Sequence, residues 1–61
     1  MLTTIHSFKK AVETLEKELI IKAMEENRWV MAKAARQLEL TERILSYKIK
    51  KYRIQRLSSQ N

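Results

Sequence analysis

The sequence predicts a small all-α domain, and three observations support this fold class. The 61 residues contain no glycine and no proline, so the tight Asn-Gly turns that favour β-hairpins are absent. Lys, Leu, Glu, Ala and Arg are frequent, and these residues favour helices. Apolar residues recur at intervals of three and four along most of the chain, which is typical of amphipathic helices.

A chain of this length allows one domain, which hides only about 60% of its surface on folding and is marginally stable alone. Such domains commonly gain stability from disulfides, metals or a partner subunit. There is no cysteine and one histidine, His6, so neither a disulfide nor a metal site is expected. No cofactor is expected, because a chain without glycine has no glycine-rich phosphate loop. Self-association is the remaining source of stability.

The first helix is predicted to end near Asn27 and to carry two apolar stripes. The front stripe has the alternating spacing of helices that pack at a shallow angle, and we expect it to mediate dimerisation. It consists of Ile5, Phe8, Val12, Leu15 and Leu19. The rear stripe is broader, as expected for a helix that faces a globular core. It consists of Ile20, Ile21, Ala23 and Met24.

The ends of the first helix also have candidate capping residues. The hydroxyl of Thr4 or of Ser7 is expected to cap its start. Asn27 is expected to adopt the left-handed conformation at its end, since asparagine tolerates that conformation.

The second helix is predicted over about residues 30–38, and its inward side is short and small. It consists of Val30, Ala34, Ala35 and Leu38. Small side chains at its centre let two helices cross closely. The third helix is predicted over about residues 42–53, with Thr41 as its N-cap. Its inward side consists of Leu45, Ile49 and Tyr52. Since only about three residues separate these two helices, they are predicted to form a helix-turn-helix.

Charge is distributed unevenly along the chain. Residues 1–27 contain four lysines and five glutamates, a net charge of −1. Residues 28–61 contain nine lysines and arginines and two glutamates, a net charge of +7, which together gives the +6 of the whole chain. This asymmetry predicts a polyanionic partner for the second part. The alternative is a merely solvated surface.

The outward side of the third helix is predicted to bind double-stranded DNA. Arg43, Tyr47, Lys50 and Ile54 are expected to point directly away from the core, flanked by Ile44, Ser46 and Lys51, with Thr41 and Glu42 at the tip. Arg43 offers two donors to guanine, Ile44 an apolar contact to a thymine methyl, and Glu42 an acceptor to a cytosine amino group. Ser46 and Tyr47 are candidates for contacts with bases or phosphates.

Other basic residues are expected to neutralise phosphates, which fixes the register of a protein on DNA without reading its sequence. On and after the third helix they are Lys48, Lys50, Lys51 and Arg53. Before it they are Arg28, Lys33 and Arg36.

Several residues have a second interpretation. Tyr47 either contacts DNA or packs sideways on the second helix. Glu42 either reads a base or only stabilises the positive end of the third helix. Lys50 and Lys51 either contact phosphates or are solvated. Trp29 is interpreted as a lid on the core, with an indole N–H that needs a partner.

From about residue 12 to 54, the sequence resembles the Fis-type helix-turn-helix domain that ends the NtrC- and NifA-like activators of sigma-54 RNA polymerase. The resembling segments are "LEKELIIKAMEENRW", "AKAARQLEL" and "TERILSYKIKKYRI". The resemblance implies that the first helix pairs with its symmetry mate and that the other two helices read DNA. The contacts it implies are made by Lys33, Thr41, Glu42, Arg43, Ser46, Tyr47 and Lys50.

The sequence departs from the family at two turns. The family usually has glycine between the two DNA-reading helices, where this chain has Glu39, and often has glycine where this chain has Arg53. A non-glycine residue with positive φ is strained, so either Glu39 accepts that strain or the turn differs. Residues Glu42 and Ile44 occupy variable positions, which leaves the operator open.

The resemblance also implies a domain organisation. The whole chain, 1–61, is interpreted as one excised C-terminal domain, with a dimerisation helix over 1–27, a helix-turn-helix over 28–54 and a frayed tail over 55–61. Full-length activators carry an ATPase module and a sensor domain before this unit. Contact with sigma-54 RNA polymerase is therefore expected only through the rest of a full-length protein.

The main hypothesis is sequence-specific binding of double-stranded DNA by a homodimer, as a domain of a transcriptional activator. The alternatives are a stand-alone Fis-like nucleoid protein and a helical protein-interaction module that does not bind DNA. Catalysis is not expected, because no nucleophile–base pair is evident. No apolar run approaches the about 20 residues that span a bilayer, and the basic side of the third helix has no broad apolar face for lipid. A cytoplasmic location without membrane contact is expected.

Overall fold

A computed structural model describes the backbone of residues 5–56 and the side chains of residues 8–56. This part of the chain forms the helices α1 (Ile5–Glu26), α2 (Met31–Leu38) and α3 (Glu42–Lys51) and no strand, which confirms the predicted all-α class. Thr4, the side chains of Ile5 and His6, and residues 57–61 of the predicted tail lie outside the described part. Ser7 lies within α1 and not at its start.

The core forms where the three helices meet. It consists of Ile20, Ala23 and Met24 from α1, Ala34 and Ala35 from α2, Leu45 from α3, and Ile54. The prediction that Ala34, Ala35 and Leu45 face inward is confirmed, since each is at most 2% exposed. Trp29 is half-buried and packs against this core, as predicted.

Two predictions about the core are wrong, one just before the start of α2 and one just after the end of α3. Val30 was expected to face inward but is 44% exposed, because its backbone is extended and it caps the start of α2. Ile54 was expected to point outward but is 7% exposed. Its predicted direction assumed that α3 continues, whereas α3 ends at Lys51 and Arg53 turns the chain with φ 54°.

Each helix ends with a non-glycine residue in the left-handed conformation. The three residues are Arg28, Glu39 and Arg53, with φ values of 53°, 59° and 54°. The apolar residue that follows each one donates its N–H to a carbonyl oxygen five residues earlier: Trp29 to Met24 at 2.6 Å, Leu40 to Ala35 at 2.8 Å, and Ile54 to Ile49 at 3.0 Å. This is the Schellman arrangement, which usually places glycine at the left-handed position.

The prediction that Asn27 is left-handed is wrong, because Arg28 and Trp29 have the positive φ angles there. Asn27 instead donates through its side-chain amide to the carbonyl oxygen of Ala23 at 2.8 Å and to Oε1 of Gln37 at 2.8 Å. Gln37 in turn donates to Oε1 of Glu26 at 2.8 Å. These hydrogen bonds tie the end of α1 to α2.

Candidate nucleic-acid interface

The start of α3 is fixed by Thr41, as predicted. Its Oγ1 accepts a hydrogen bond from the backbone N–H of Ile44 at 3.1 Å, which satisfies one of the free donors of the first turn. One turn later, Leu45 is fully buried in the core. The cap and this anchor together determine which side of α3 faces solvent.

The side of α3 opposite Leu45 is exposed. Arg43, Tyr47 and Lys50 lie there and are exposed, as are Ile44 beside them and Glu42 at the tip of the helix. Ile44 is 43% exposed and Tyr47 is 64% exposed. Because so much of its ring is open, Tyr47 is not covered by α2, which favours the surface interpretation. The helix therefore presents cationic, aromatic and apolar groups together.

The remaining candidates lie on α2, on α3 and in the turn between them. Thr41 and Lys51 are exposed, as are Lys33 and Arg36 on α2, whereas Ser46 is half-buried. The Lys51 ammonium lies 5.4 Å from the centre of the Tyr52 ring, within the range of a cation–π contact. All of these candidates except Ser46 are therefore open to solvent.

Lys48 lies on a different side of α3. It was expected to neutralise phosphates, but its Nζ lies 3.2 Å from Oε2 of Glu16 on α1. The hydroxyl of Tyr52 donates a hydrogen bond to the other carboxylate oxygen, Oε1. We call this group of Glu16, Lys48 and Tyr52 the Glu16 clamp, and it links α1 directly to α3.

The Glu16 clamp changes the ionisation of its members. The hydrogen bond from Tyr52, followed by that from Lys48, lowers the pKa of the Glu16 carboxyl. The same hydrogen bond to Glu16, with a smaller contribution from desolvation, raises the pKa of Tyr52 to about 12. Both shifts favour a carboxylate that accepts from a neutral phenol.

Sequence analysis missed the Glu16 clamp. Lys48 and Tyr52 lie 32 and 36 residues after Glu16, so no local pattern joins them to it. One signal was present: Tyr52 was placed on the inward side of the third helix, and a tyrosine hydroxyl near a core usually has a hydrogen-bond partner.

The front stripe of α1 is open to solvent in the single chain. Its described side chains are Phe8, Val12, Leu15 and Leu19, which are between 47% and 71% exposed. Apolar side chains are normally exposed one at a time, whereas contiguous patches mark interaction sites. The stripe therefore fits the predicted dimerisation surface.

Neither a metal site nor a membrane-spanning helix is found in the described part of the chain. No group of three or more His, Asp or Glu side chains there is arranged to hold a metal ion. None of the three helices combines the length and the apolar character needed to cross a membrane.

Comparison with known proteins identifies similar sequences. A family model described as "Bacterial regulatory protein, Fis family" matches residues 11–52. A Nif-specific regulatory protein of Azorhizobium caulinodans is 54% identical over 39 residues, which are 64% of this chain and 6% of that protein. The response regulator protein PilR of Pseudomonas aeruginosa is 40% identical over 50 residues, which are 82% of this chain and 11% of that protein. No solved structure matches the chain significantly.

Proposed function

The chain belongs to the Fis family of bacterial regulatory proteins, and on that premise we propose that it binds double-stranded DNA sequence-specifically as a homodimer. The observation that carries the proposal is the orientation of α3. Leu45 anchors one side in the core, whereas Arg43, Tyr47 and Lys50 are exposed on the other. An exposed helix of this kind, preceded by a short turn and a second helix, suits the major groove.

Three residues near the start of α3 are proposed to read bases. Arg43 donates to O6 and N7 of a guanine, which is the commonest specific contact between proteins and DNA. Ile44 contacts a thymine methyl, and Glu42 accepts from a cytosine amino group. All three side chains are exposed, so reaching a base edge requires no displacement of the core.

The surrounding residues are proposed to hold the DNA backbone. Lys33, Arg36, Lys50 and Lys51 neutralise phosphates, and Thr41, Ser46 and Tyr47 supply hydroxyl groups to phosphates or bases. The net charge of +7 in residues 28–61 supports this role, because counterion release from DNA drives binding by basic proteins.

The homodimer is proposed to form through the front stripe of α1. Burial of Phe8, Val12, Leu15 and Leu19 against a second copy removes these side chains from water, and Ile5 extends the same spacing. Such a dimer would place its two α3 helices in successive major grooves, about 34 Å apart.

This unit is further proposed to serve as the DNA-binding domain of a larger, sigma-54-dependent activator. The chain spans only 6% and 11% of the two curated relatives, a Nif-specific regulatory protein and a response regulator. It therefore corresponds to a small part of each, and contact with RNA polymerase is assigned to the rest of a full-length protein. The proposed place of action is the cytoplasm, where bacterial DNA lies.

Selection of binding sites from random duplex DNA tests the proposal. We expect enrichment of a two-fold symmetric site whose half-sites lie about one helical turn apart. Affinity for that site should fall with salt, with a log–log slope of about −0.9 for each phosphate neutralised. Equal affinity for selected and random DNA would favour the nucleoid-protein alternative, and no binding would favour the protein-interaction module.

Sedimentation equilibrium tests the dimer separately. Leu15→Gln should shift the population towards single chains, because it places an amide in the front stripe. Lys17→Gln is the matched control, since Lys17 lies outside that stripe on the same helix and is also exposed. If both variants have the same average mass as the original chain, the front stripe is not the dimer interface.

A further inference from the structure

The Glu16 clamp joins α1 to α3 by two separate donors. Lys48 and Tyr52 lie four residues apart on one side of the end of α3, where side chains are neighbours. Each donates to a different oxygen of the Glu16 carboxylate, Lys48 to Oε2 at 3.2 Å and Tyr52 to Oε1. Two contacts to one planar group restrict rotation as well as distance, so the clamp fixes an orientation.

The position of α3 relative to α1 depends on few direct contacts. Both helices pack against α2, and they pack less extensively against each other. The side chains of Lys48 and Glu16 are 23% and 38% exposed, so their ion pair lies at the surface of this junction. Because this polar contact lies at the edge of the junction, away from the buried core, it opposes tilting of α3 relative to α1.

Glu16 also adjoins the front stripe of α1. Val12 lies four residues before it and Leu19 three residues after it, so all three lie on neighbouring positions of the helix surface. One segment of α1 thus contacts α3 through Glu16 and carries the surface assigned to the second copy. The Glu16 clamp therefore connects the proposed dimer axis to the proposed recognition helix.

From this juxtaposition we infer that Glu16 is a positioning residue that sets the separation of the two half-sites read by the dimer. The inference rests on the proposed function. Successive base pairs along DNA are about 3.4 Å apart, so a small tilt of each α3 moves its tip by a sizeable fraction of one step. Without the clamp, α3 tilts more freely, and sites with altered spacing lose less affinity relative to the preferred one.

The test uses duplexes that contain the two selected half-sites at the preferred separation, or at one base pair more or less. The measured quantity is the ratio of affinities for preferred and altered spacing. Glu16→Ala and Tyr52→Phe should each lower this ratio by about three- to fivefold, the size expected for one partly exposed charged contact. The double variant should lower it no further than Glu16→Ala alone, because both changes break one contact.

Glu18→Ala is the control, since it removes the same charge from an exposed position of the same helix and should leave the ratio unchanged. A purely structural role for Glu16 would lower affinity equally at all spacings and leave the ratio intact, which would overturn the inference. Tyr52→Phe keeps the ring that packs near the core, so it remains informative if Glu16→Ala does not fold. If the original chain binds no two-fold symmetric site, the proposed function fails instead.

Discussion

The backbone N–H of Leu40 donates a 2.8 Å hydrogen bond to the carbonyl oxygen of Ala35, which closes the end of α2. This contact requires the intervening Glu39 to be left-handed, with φ 59° and ψ 38°. The chain therefore accepts the strain foreseen at the position where the family usually has glycine. A left-handed conformation costs a residue with a Cβ atom roughly 1–2 kcal/mol.

Glu39→Gly should stabilise the protein. Glycine removes the steric cost at φ 59° but gains freedom in the unfolded chain, so we expect a net increase of about 0.5–1 kcal/mol in the free energy of unfolding. Urea denaturation followed by circular dichroism measures the change. Glu39→Ala is the control, since it removes the same charge but keeps the Cβ atom. An equal gain from alanine would attribute the effect to charge and not to the backbone.

Much of the helical core could be predicted from the sequence. The helical spacing of the apolar residues identified Ala34 and Ala35 as the inward side of α2, and it identified Leu45 as inward on α3. The hydroxyl of Thr41 marked the start of α3, because threonine before a periodic segment is a common N-cap. These features depend on local chemistry and on helical periodicity, which the sequence displays directly.

The features that sequence analysis missed depend on where the chain turns and on distant contacts. Arg28 has no turn-forming chemistry, so its left-handed conformation could not be anticipated. Ile54 was given an outward direction because a helical projection was extended past the actual end of α3. Glu16 finds its partners more than 30 residues away, which only the packing of α1 near α3 determines.

Ile44 in α3 and Ile54 after its end together test whether Ile54 is buried. Ile54 is 7% exposed in the core, whereas Ile44 is 43% exposed on α3. Ile54→Ala should lower the free energy of unfolding by about 2 kcal/mol or more, since it removes buried methyl groups and leaves a cavity. Ile44→Ala should change it by less than about 0.5 kcal/mol. Thermal and urea unfolding without DNA measure both, and equal effects would contradict the observed burial.

The Glu16 clamp predicts a loss of stability at high pH. The pKa of Tyr52 is raised from its ordinary value of 10.0 to about 12 by the hydrogen bond to Glu16. A group with a raised pKa in the folded state stabilises fully below its unfolded pKa and loses that contribution as pH rises through the folded value. Stability should therefore fall between about pH 10 and pH 12, and Tyr52→Phe should remove this part of the fall.

The absorbance of the tyrosinate anion measures the ionisation of Tyr52 directly. The original chain should show a tyrosine that titrates near pH 12, and this component should be absent from Tyr52→Phe and present in Tyr47→Phe. A titration near pH 12 that persists in Tyr52→Phe would exclude the clamp as its cause.

At low pH the sign is reversed. The pKa of Glu16 is lowered, so the contribution of Glu16 to stability is present above the ordinary value of 4.5 and is lost as pH falls. Glu16→Gln should reduce this acid sensitivity of the free energy of unfolding.

Arg43 and Lys50 should affect DNA binding in different ways, although both are exposed cations on α3. Arg43→Ala should lower affinity for the selected site by about 1–3 kcal/mol for each half-site and relax the preference at one base pair of each, because each copy loses a bidentate base contact. Lys50→Ala should weaken binding to all sequences and reduce the magnitude of the salt slope by about 1.8, because each of the two copies loses one phosphate contact worth about 0.9.

Fluorescence anisotropy with selected and random duplexes at several salt concentrations separates these effects. Lys17→Ala, which removes a cation from α1, controls for net charge and should change neither the base preference nor the salt slope beyond measurement error. If Arg43→Ala behaves as Lys17→Ala does, Arg43 does not contact a base. If Lys50→Ala also behaves as Lys17→Ala does, a different surface of the protein meets DNA, since Leu45 anchors α3 with both cations facing solvent.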